Sequence, residues 1–368
     1  MIDYLILLSI PCLVALIITP LLRQTAIKSN ALDYPGELKI HKNALPRLGG
    51  IAIAISFFFS IGIGYSFLDI KQSSETEPLI GLCIGAAIIA LIGIWDDIRG
   101  LNAVKKLIGQ IAAVLATIPF GFIIRDLNVP FVGIVDVGNI LGTILAIFWV
   151  SGIINTINLI DGIDGLAGII IVSILATLFV ISNLIGQTQM ALVCVVLAGA
   201  VIGFLRYNFH PATIFMGDCG SMFLGFITAV IAIKILFQSP NIVASSTIPV
   251  LIFGLPIMNT VWAILRRLRR GRSPFAPDLG HIHNRLLNLG LSQRVVVLIL
   301  FSANFLSIAS GLAIVFSKSE NLALALCVTM LIIGLATVIT IDRISPQQDN
   351  LLHNNDVENT SKNDRVLL

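Results

Sequence analysis

Eleven apolar runs, most of them about twenty residues long, are strung along this chain: 2–22, 49–68, 79–95, 107–124, 138–157, 166–186, 189–206, 219–237, 246–264, 295–316 and 322–341. A helix rises about 1.5 Å per residue, so each run covers most of a hydrocarbon core about 30 Å thick. Backbone N–H and C=O groups in lipid must be satisfied within the segment, which leaves helices as the economical reading of such runs. The expected fold class is therefore all-α: a polytopic integral membrane protein of about eleven transmembrane helices. Composition agrees, because 57% of the 368 residues are hydrophobic, only 12% are charged, and the mean hydropathy of +0.97 is outside the range of soluble domains.

The first run opens directly on Met1, Ile2 and Asp3, with no basic segment before it and no small-residue cleavage site, so it is expected to stay as a helix. There is no internal repeat or heptad pattern. One membrane domain over 1–341 is expected, followed by a tail, 342–368, whose Asn, Asp and Ser content suggests disorder. The five cysteines, Cys12, Cys83, Cys194, Cys219 and Cys327, show neither CxxC nor His-flanked spacing and read as small buried hydrophobes. With the N-terminus outside, nineteen of the 23 Lys and Arg residues fall in inward connections and the tail. Lys71, Arg125 and Lys318 fall outside, and Lys234 lies near an outer span end, where it can snorkel. The positive-inside rule then sets the N-terminus out and the C-terminus in.

Polar motifs crowd the odd-numbered connections, hence one face of the membrane: HKNALPRLGG at 41–50, DDIRGLNAVKK at 96–106, NTINLIDGIDG at 155–165, RYNFHPATIFMGD at 206–218, and the basic segment 266–287. The outward connections are short or bland. Charged groups at a membrane edge usually line a polar cavity, which makes Asp96, Asp97, Asp161, Asp164 and Asp218 the place to look for chemistry. Asp96 and Asp97 are adjacent and point different ways on a helix, so one can face a metal while the other meets a substrate or base. The alternative is an interfacial pair neutralised by Lys105 and Lys106. Asn155, Asn158, Asp161 and Asp164 recur every third residue and drift about 60° per step, too far for one straight stripe. Gly162 and Gly165 point to an unwound segment there, or to a turn closing the fifth span. Asp218 sits in IFMGDCGS as an oxygen ligand suited to Mg²⁺, or as an N-cap for a helix opening at Gly220. Phe215, three residues earlier, reads as core or as a platform for a base. The ninth connection carries seven arginines with Asp278, His281 and His283. Arg266 to Arg270 read partly as a topological anchor, while the two histidines, on opposite sides of a regular element, suit hydrogen bonding to phosphate or sugar better than metal ligation. Together, a carboxylate-rich and base-rich face suggests Mg²⁺-assisted phosphoryl transfer from a soluble phosphorylated donor to a lipid acceptor.

In this order and on these spans, the five motifs resemble the polyprenyl-phosphate N-acetylhexosamine-1-phosphate transferase superfamily, glycosyltransferase family 4, over nearly the whole chain to about 341. HKNALPRLGG and HIHN resemble the bacterial branch that moves N-acetylglucosamine 1-phosphate from UDP-GlcNAc to undecaprenyl phosphate. The phospho-N-acetylmuramoyl-pentapeptide branch, second in rank, typically has Thr at the position of Arg47 and three histidines at HIHN. The resemblance implies that Asp218 binds Mg²⁺, with Mn²⁺ as a substitute, and that Asp96 and Asp97 lie at the lipid phosphate and metal. It implies that Asp161, Asp164 and Phe215 form the nucleotide pocket, that the segment of His281, His283 and Arg285 meets the sugar diphosphate, and that Lys42 and Arg47 contact phosphate. Asn155 and Asn158 join them as candidate substrate ligands. The implied setting is the bacterial inner membrane with a cytoplasmic site. The partners are a UDP-N-acetylhexosamine and a polyprenyl phosphate, with no nucleic acid, and a homodimer stays open. Asn284 and Asn259 depart from the family pattern, which usually has a third His and often an acidic residue there. A transporter is the rival from another class, but it would want polar residues at span centres, and these are almost uniformly apolar. DGIDGLAG is similar to a CDP-alcohol phosphotransferase motif, yet 166–186 lacks that family's downstream aspartates.

Overall fold

The computed structural model describes residues 2–36, 41, 43–67, 76–129, 131–238, 246–269, 271, 273, 280–317 and 319–344. Lys42, Asp278 and the tail beyond 344 lie outside the described residues, and with them the expectations placed on those positions. Among the described residues the structure is all-α with two small two-stranded pieces, the first pairing β1 (Leu32–Asp33) with β2 (Leu45–Pro46). Among the described residues thirteen α-helices follow in order: α1 (Ile2–Lys28), α2 (Gly49–Phe67), α3 (Thr76–Arg99), α4 (Ala103–Thr117), α5 (Gly138–Ile160), α6 (Leu166–Leu184), α7 (Thr188–Asn208), α8 (Gly217–Ala232), α9 (Ile248–Ile252), α10 (Gly254–Arg269), α11 (Ile282–Asn288), α12 (Gln293–Ser317) and α13 (Glu320–Ile344).

Among the described residues nine helices are long and apolar enough to cross a membrane, against eleven expected runs. Of the other two runs, the second, α2, has a shorter apolar stretch, Gly49–Gly64. The ninth, expected as one helix over 246–264, is broken into α9 and α10 at Phe253. Pro256 has no N–H to give the carbonyl four residues back, which interrupts the ladder there. Ser307 Oγ of α12 donates to the Leu251 carbonyl at 2.6 Å beside the break. The connection between α4 and α5, expected to be bland, forms an antiparallel hairpin of β3 (Asp126–Val129) and β4 (Gly133–Asp136).

α8 is the axis of the bundle: every residue from Cys219 to Ala232 is buried, among α2, α3, α5 and α6. Small residues let the backbones approach. A Cβ at Gly50 would strike the Gly220 backbone, one at Gly93 would strike Cys219, and one at Gly225 would meet Ile154 Cα at 2.8 Å. Dispersion across such close contacts holds membrane helices together where no hydrophobic force separates them from lipid. The outer faces stay apolar, with Phe148 79% and Ile140 83% exposed, as expected of a lipid boundary.

The hydrogen bonds that join loops define two ends. At one, the Pro46, Gly49 and Gly50 backbone pairs with Phe215 and Met216, and Asp164 takes the Ala212 amide. At the other, Gln238 Nε2 donates to the Gly121 and Ile123 carbonyls, Ser246 donates to Asn128, and the Phe131 amide donates to Glu320. The five motif-bearing connections meet at the first end.

Candidate active site

Asp96 and Asp97 occupy the last turn of α3, which runs on past the apolar run to Arg99. Gly100, at φ +69°, and the cap Asn102, whose side chain accepts the Lys105 amide at 2.9 Å, reverse the chain into α4. Lys106 is thereby returned to Asp96. Its ammonium pairs with Asp96 Oδ2 and lies 3.3 Å from Asp218 Oδ1, while Asp96 Oδ1 accepts the Leu101 amide at 2.6 Å.

Asp97 points the other way. Its two oxygens accept the Asp218 and Cys219 amides at 2.8 and 3.0 Å, two of the four donors that the start of α8 leaves without helical partners. A carboxylate there also meets the positive end of the helix dipole. Gly217, at φ +72°, makes this possible, since a Cβ would strike the Arg47 carbonyl and lie 2.7–2.8 Å from the Asp97 carboxylate. Asp218 lies in the first turn of α8 behind the cap position Met216 and is not an N-cap; the helix opens at Gly217, three residues before the expected Gly220. Asp97 thus braces the start of α8 beneath Asp218, and Asp96 is the carboxylate that shares the Lys106 ammonium with Asp218.

The third-residue series fans out as its angular drift requires. Asn155 exchanges hydrogen bonds with Gln110 at 3.0 and 3.3 Å and donates to the Ser151 carbonyl, so it serves the α4–α5 contact. Asn158 donates to Asp218 Oδ1 at 2.5 Å and to Ser221 Oγ at 2.9 Å. Asp161 caps the end of α5; burial first, then the charges of Asp218, Asp97 and Asp164, push its carboxyl well above the usual carboxylate range. Asp164 Oδ2 accepts from His210 Nδ1 at 2.8 Å and from the Ala212 amide at 3.0 Å. Gly165, at φ +76°, completes the turn, and its amide is taken by Asn208.

The ninth connection closes over this turn. His281 is the extended N-cap residue of α11 and His283 lies two residues on, so their rings stack at 5.7 Å and 7° instead of lying on opposite sides. His283 packs on Gly162, where a Cβ would strike its imidazole. Burial, with His281 adding to it, lowers the His283 pKa to about 3, leaving a neutral ring. Asn259 accepts the Ile282 amide at 3.1 Å, and Arg266 and Arg285 both donate to the Gly280 carbonyl, at 2.6 and 2.9 Å. Arg266 and Arg267 are buried, so they do more than anchor topology. Phe215 is half-buried, held by backbone bonds to Pro46 and Gly49, with His41 packed edge-on at 5.1 Å. Arg47 lies close enough to Asp97 to interact with it electrostatically, and its buried Nε has no hydrogen-bond partner among the described residues.

Asp96, Asp97, Asn158, Asp161 and Asp218 are thus one cluster, with Asp164, His283 and Phe215 around it and Asn155 turned away. Lys106, expected only as a neutraliser of the Asp96–Asp97 pair, joins the site, and His210 and Gln110 were not among the expected site residues. The signal for Lys106 was the Gly100–Asn102 reversal, which brings a residue ten positions on back to Asp96. Among the described residues no three His, Cys, Asp or Glu side chains close on one point. The cluster instead offers hard oxygen donors, with Asp96 and Asp218 facing one ammonium. That suits Mg²⁺, which takes one or two carboxylates and completes its octahedron with water and phosphate oxygens.

An all-α polytopic membrane protein with such a centre at one end of its bundle is built for phosphoryl chemistry at a membrane surface. The family model of glycosyl transferase family 4 matches residues 79–236. The chain is 34% identical over 321 residues to "Probable undecaprenyl-phosphate N-acetylglucosaminyl 1-phosphate transferase" of Bacillus subtilis (strain 168), covering 87% of each chain. It is 31% identical to "Decaprenyl-phosphate N-acetylglucosaminephosphotransferase" of Mycobacterium tuberculosis, over 87% of this chain and 85% of the relative. It is 29% identical to "Undecaprenyl-phosphate alpha-N-acetylglucosaminyl 1-phosphate transferase" of Yersinia pestis, over 77% of each. The chain belongs to glycosyl transferase family 4 and is a sugar-phosphate transferase enzyme, which sets the transporter reading aside.

Proposed function

We propose that this enzyme transfers N-acetylglucosamine 1-phosphate from UDP-GlcNAc to undecaprenyl phosphate, releasing UMP. Its site faces the cytoplasm at a bacterial inner membrane, and the product starts a lipid-linked glycan for cell-wall or surface polysaccharide synthesis. The names of the relatives support the acceptor and the sugar phosphate moved. The observation that carries the reading is the Asp96–Lys106–Asp218 group, set by Asp97 at the opening of α8.

In this reading the acceptor phosphate oxygen attacks the sugar-bearing phosphorus. A phosphorus–oxygen bond forms to the lipid phosphate, and the bond to the UMP oxygen breaks. A phosphate monoester is already largely ionised at pH 7, since its second pKa is near 6, so a strong base is unnecessary. Asp96 orients the acceptor and takes any remaining proton. Lys106 balances charge between the two carboxylates, and Asp97 holds Asp218 in place through the α8 amides. Asp218 and Asp96 would hold Mg²⁺, which when bound supplies positive charge against the phosphate oxygens. Phe215, Asp164 and Asp161 serve the nucleotide, while His281, His283 and Arg47 serve the diphosphate.

The test is product analysis. Purified enzyme with UDP-GlcNAc, Mg²⁺ and undecaprenyl phosphate should release UMP and form a lipid diphosphosugar. Release of UDP would make it an ordinary glycosyltransferase and overturn the mechanism. A panel of UDP-sugars, including the muramoyl-pentapeptide donor, fixes the sugar.

A further inference from the structure

The connection between α1 and α2 holds a pair outside the carboxylate cluster. His41 Nδ1 lies 2.8 Å from the Asn43 carbonyl and Nε2 lies 2.8 Å from Asp33 Oδ2. A carbonyl only accepts, so Nδ1 carries a hydrogen. A carboxylate facing Nε2 needs a second hydrogen between them, so both ring nitrogens are engaged and the ring cannot rotate. The His41 and Asp33 side chains are only 14% and 21% exposed. The immobilised ring packs edge-on against Phe215, with centroids 5.1 Å apart and planes at 64°.

The half-buried Phe215 ring takes an aromatic neighbour from this connection. Its backbone is fixed, with the amide donating to Pro46 at 2.7 Å and the carbonyl accepting from Gly49 at 3.0 Å, but χ1 and χ2 need a packing neighbour. Beyond His41, no ring packs against it among the described residues. We propose that Asp33 and His41 are positioning residues that hold Phe215 as a stacking platform for the nucleobase. The inference rests on the nucleotide role given to Phe215 above. It assigns affinity for the uridine half of the donor to a pair on the α1–α2 connection, remote in sequence from Phe215.

The experiment measures UMP binding by calorimetry and donor KM and kcat by UMP release, in His41→Ala, Asp33→Ala, Asp33→Asn, Phe215→Ala and the His41→Ala/Phe215→Ala double variant. Base stacking on an aromatic ring is worth tenfold or more in affinity, so Phe215→Ala should weaken UMP by about that factor or beyond. His41→Ala and Asp33→Ala should weaken UMP and raise donor KM by several-fold, with kcat little changed. Asp33→Asn should stay near wild type, because its amide can donate to Nε2 of a neutral His41 whose Nδ1 hydrogen stays on Asn43. The double variant should be no worse than Phe215→Ala alone, since His41 acts through that ring.

If Phe215→Ala leaves UMP affinity intact, the nucleotide role of Phe215 fails, and the inference with it. If Phe215→Ala weakens UMP while His41→Ala and Asp33→Ala do not, or if the double variant is additive, the positioning role alone is overturned. A fall in kcat with unchanged UMP affinity overturns it too. Should His41→Ala not fold, the Asp33 pair decides: loss in the Ala variant with retention in the Asn variant supports the inference, and equal behaviour of the two overturns it.

Discussion

Asp218 differs from the other aspartates because its side-chain partners gather on one oxygen while its backbone is fixed beneath it. Asn158 and Lys106 both address Oδ1, and Asp97 holds the amide. Replacing Asp218 by Asn keeps the shape and removes the charge. Turnover should fall on the order of 10² or more, since electrostatic stabilisation of this kind is worth several kcal/mol. Near-normal UMP release from that variant would return Asp218 to a structural role. His283 supplies a pH prediction. Its folded-state pKa of about 3 lies below the ordinary 6.5, so between those values the unfolded chain takes up a proton that the folded chain does not. The stability this contributes is fully present above about pH 6.5 and is lost as pH falls toward about 3. Asp161 has the opposite sign: its raised pKa stabilises the acid side and is lost as pH rises through the folded value. Thermal unfolding at pH 7 and pH 5 should therefore show a smaller acid loss in His283→Gln than in wild type. An equal loss in both would locate the acid sensitivity elsewhere.

Among elements, the broken ninth run and the opening of α8 carry the most information. Apolar composition alone reads 246–264 as a single helix. Pro249, Gly254 and Pro256 weaken that ladder, and Ser307 holds the Leu251 carbonyl beside the break. Ser307→Ala should cost about 1 kcal/mol of stability in micelles, measured by denaturant unfolding, because a buried acceptor loses its donor. An unchanged midpoint would mean that the carbonyl finds another partner. The opening of α8 was half legible: a helix start beside Asp218 was one of its two readings, but the groups that meet that start, Asp97 and Gly50, come from helices at least 120 residues away. The stacking of His281 and His283 was illegible, because it follows from a helix that starts between them.

For the whole molecule, the bundle separates a polar end, where the five motif-bearing connections meet, from an end carrying the β3–β4 hairpin. Single cysteines placed at Asn43 and Pro211 should be labelled by a membrane-impermeant maleimide from one side of intact cells or inverted vesicles. One at Val132 should be labelled from the other. With the charge asymmetry of the connections, the first two are expected to be cytoplasmic. Labelling of Asn43 and Val132 from the same side would overturn the arrangement of the spans.

The sequence by itself determined the solvent, the helical class and the gathering of polar motifs on alternate connections, because apolar run length and charge placement are local quantities that a bilayer reads directly. It also held the five aspartates. Tertiary structure alone decided their roles. Lys106 reaches Asp96 by a helical reversal, Asp97 turns to a helix eighth in the chain, and Asp164 turns to His210. A carboxylate's chemistry depends on which donors and charges lie within a few ångströms, and those neighbours come from distant segments brought together by packing.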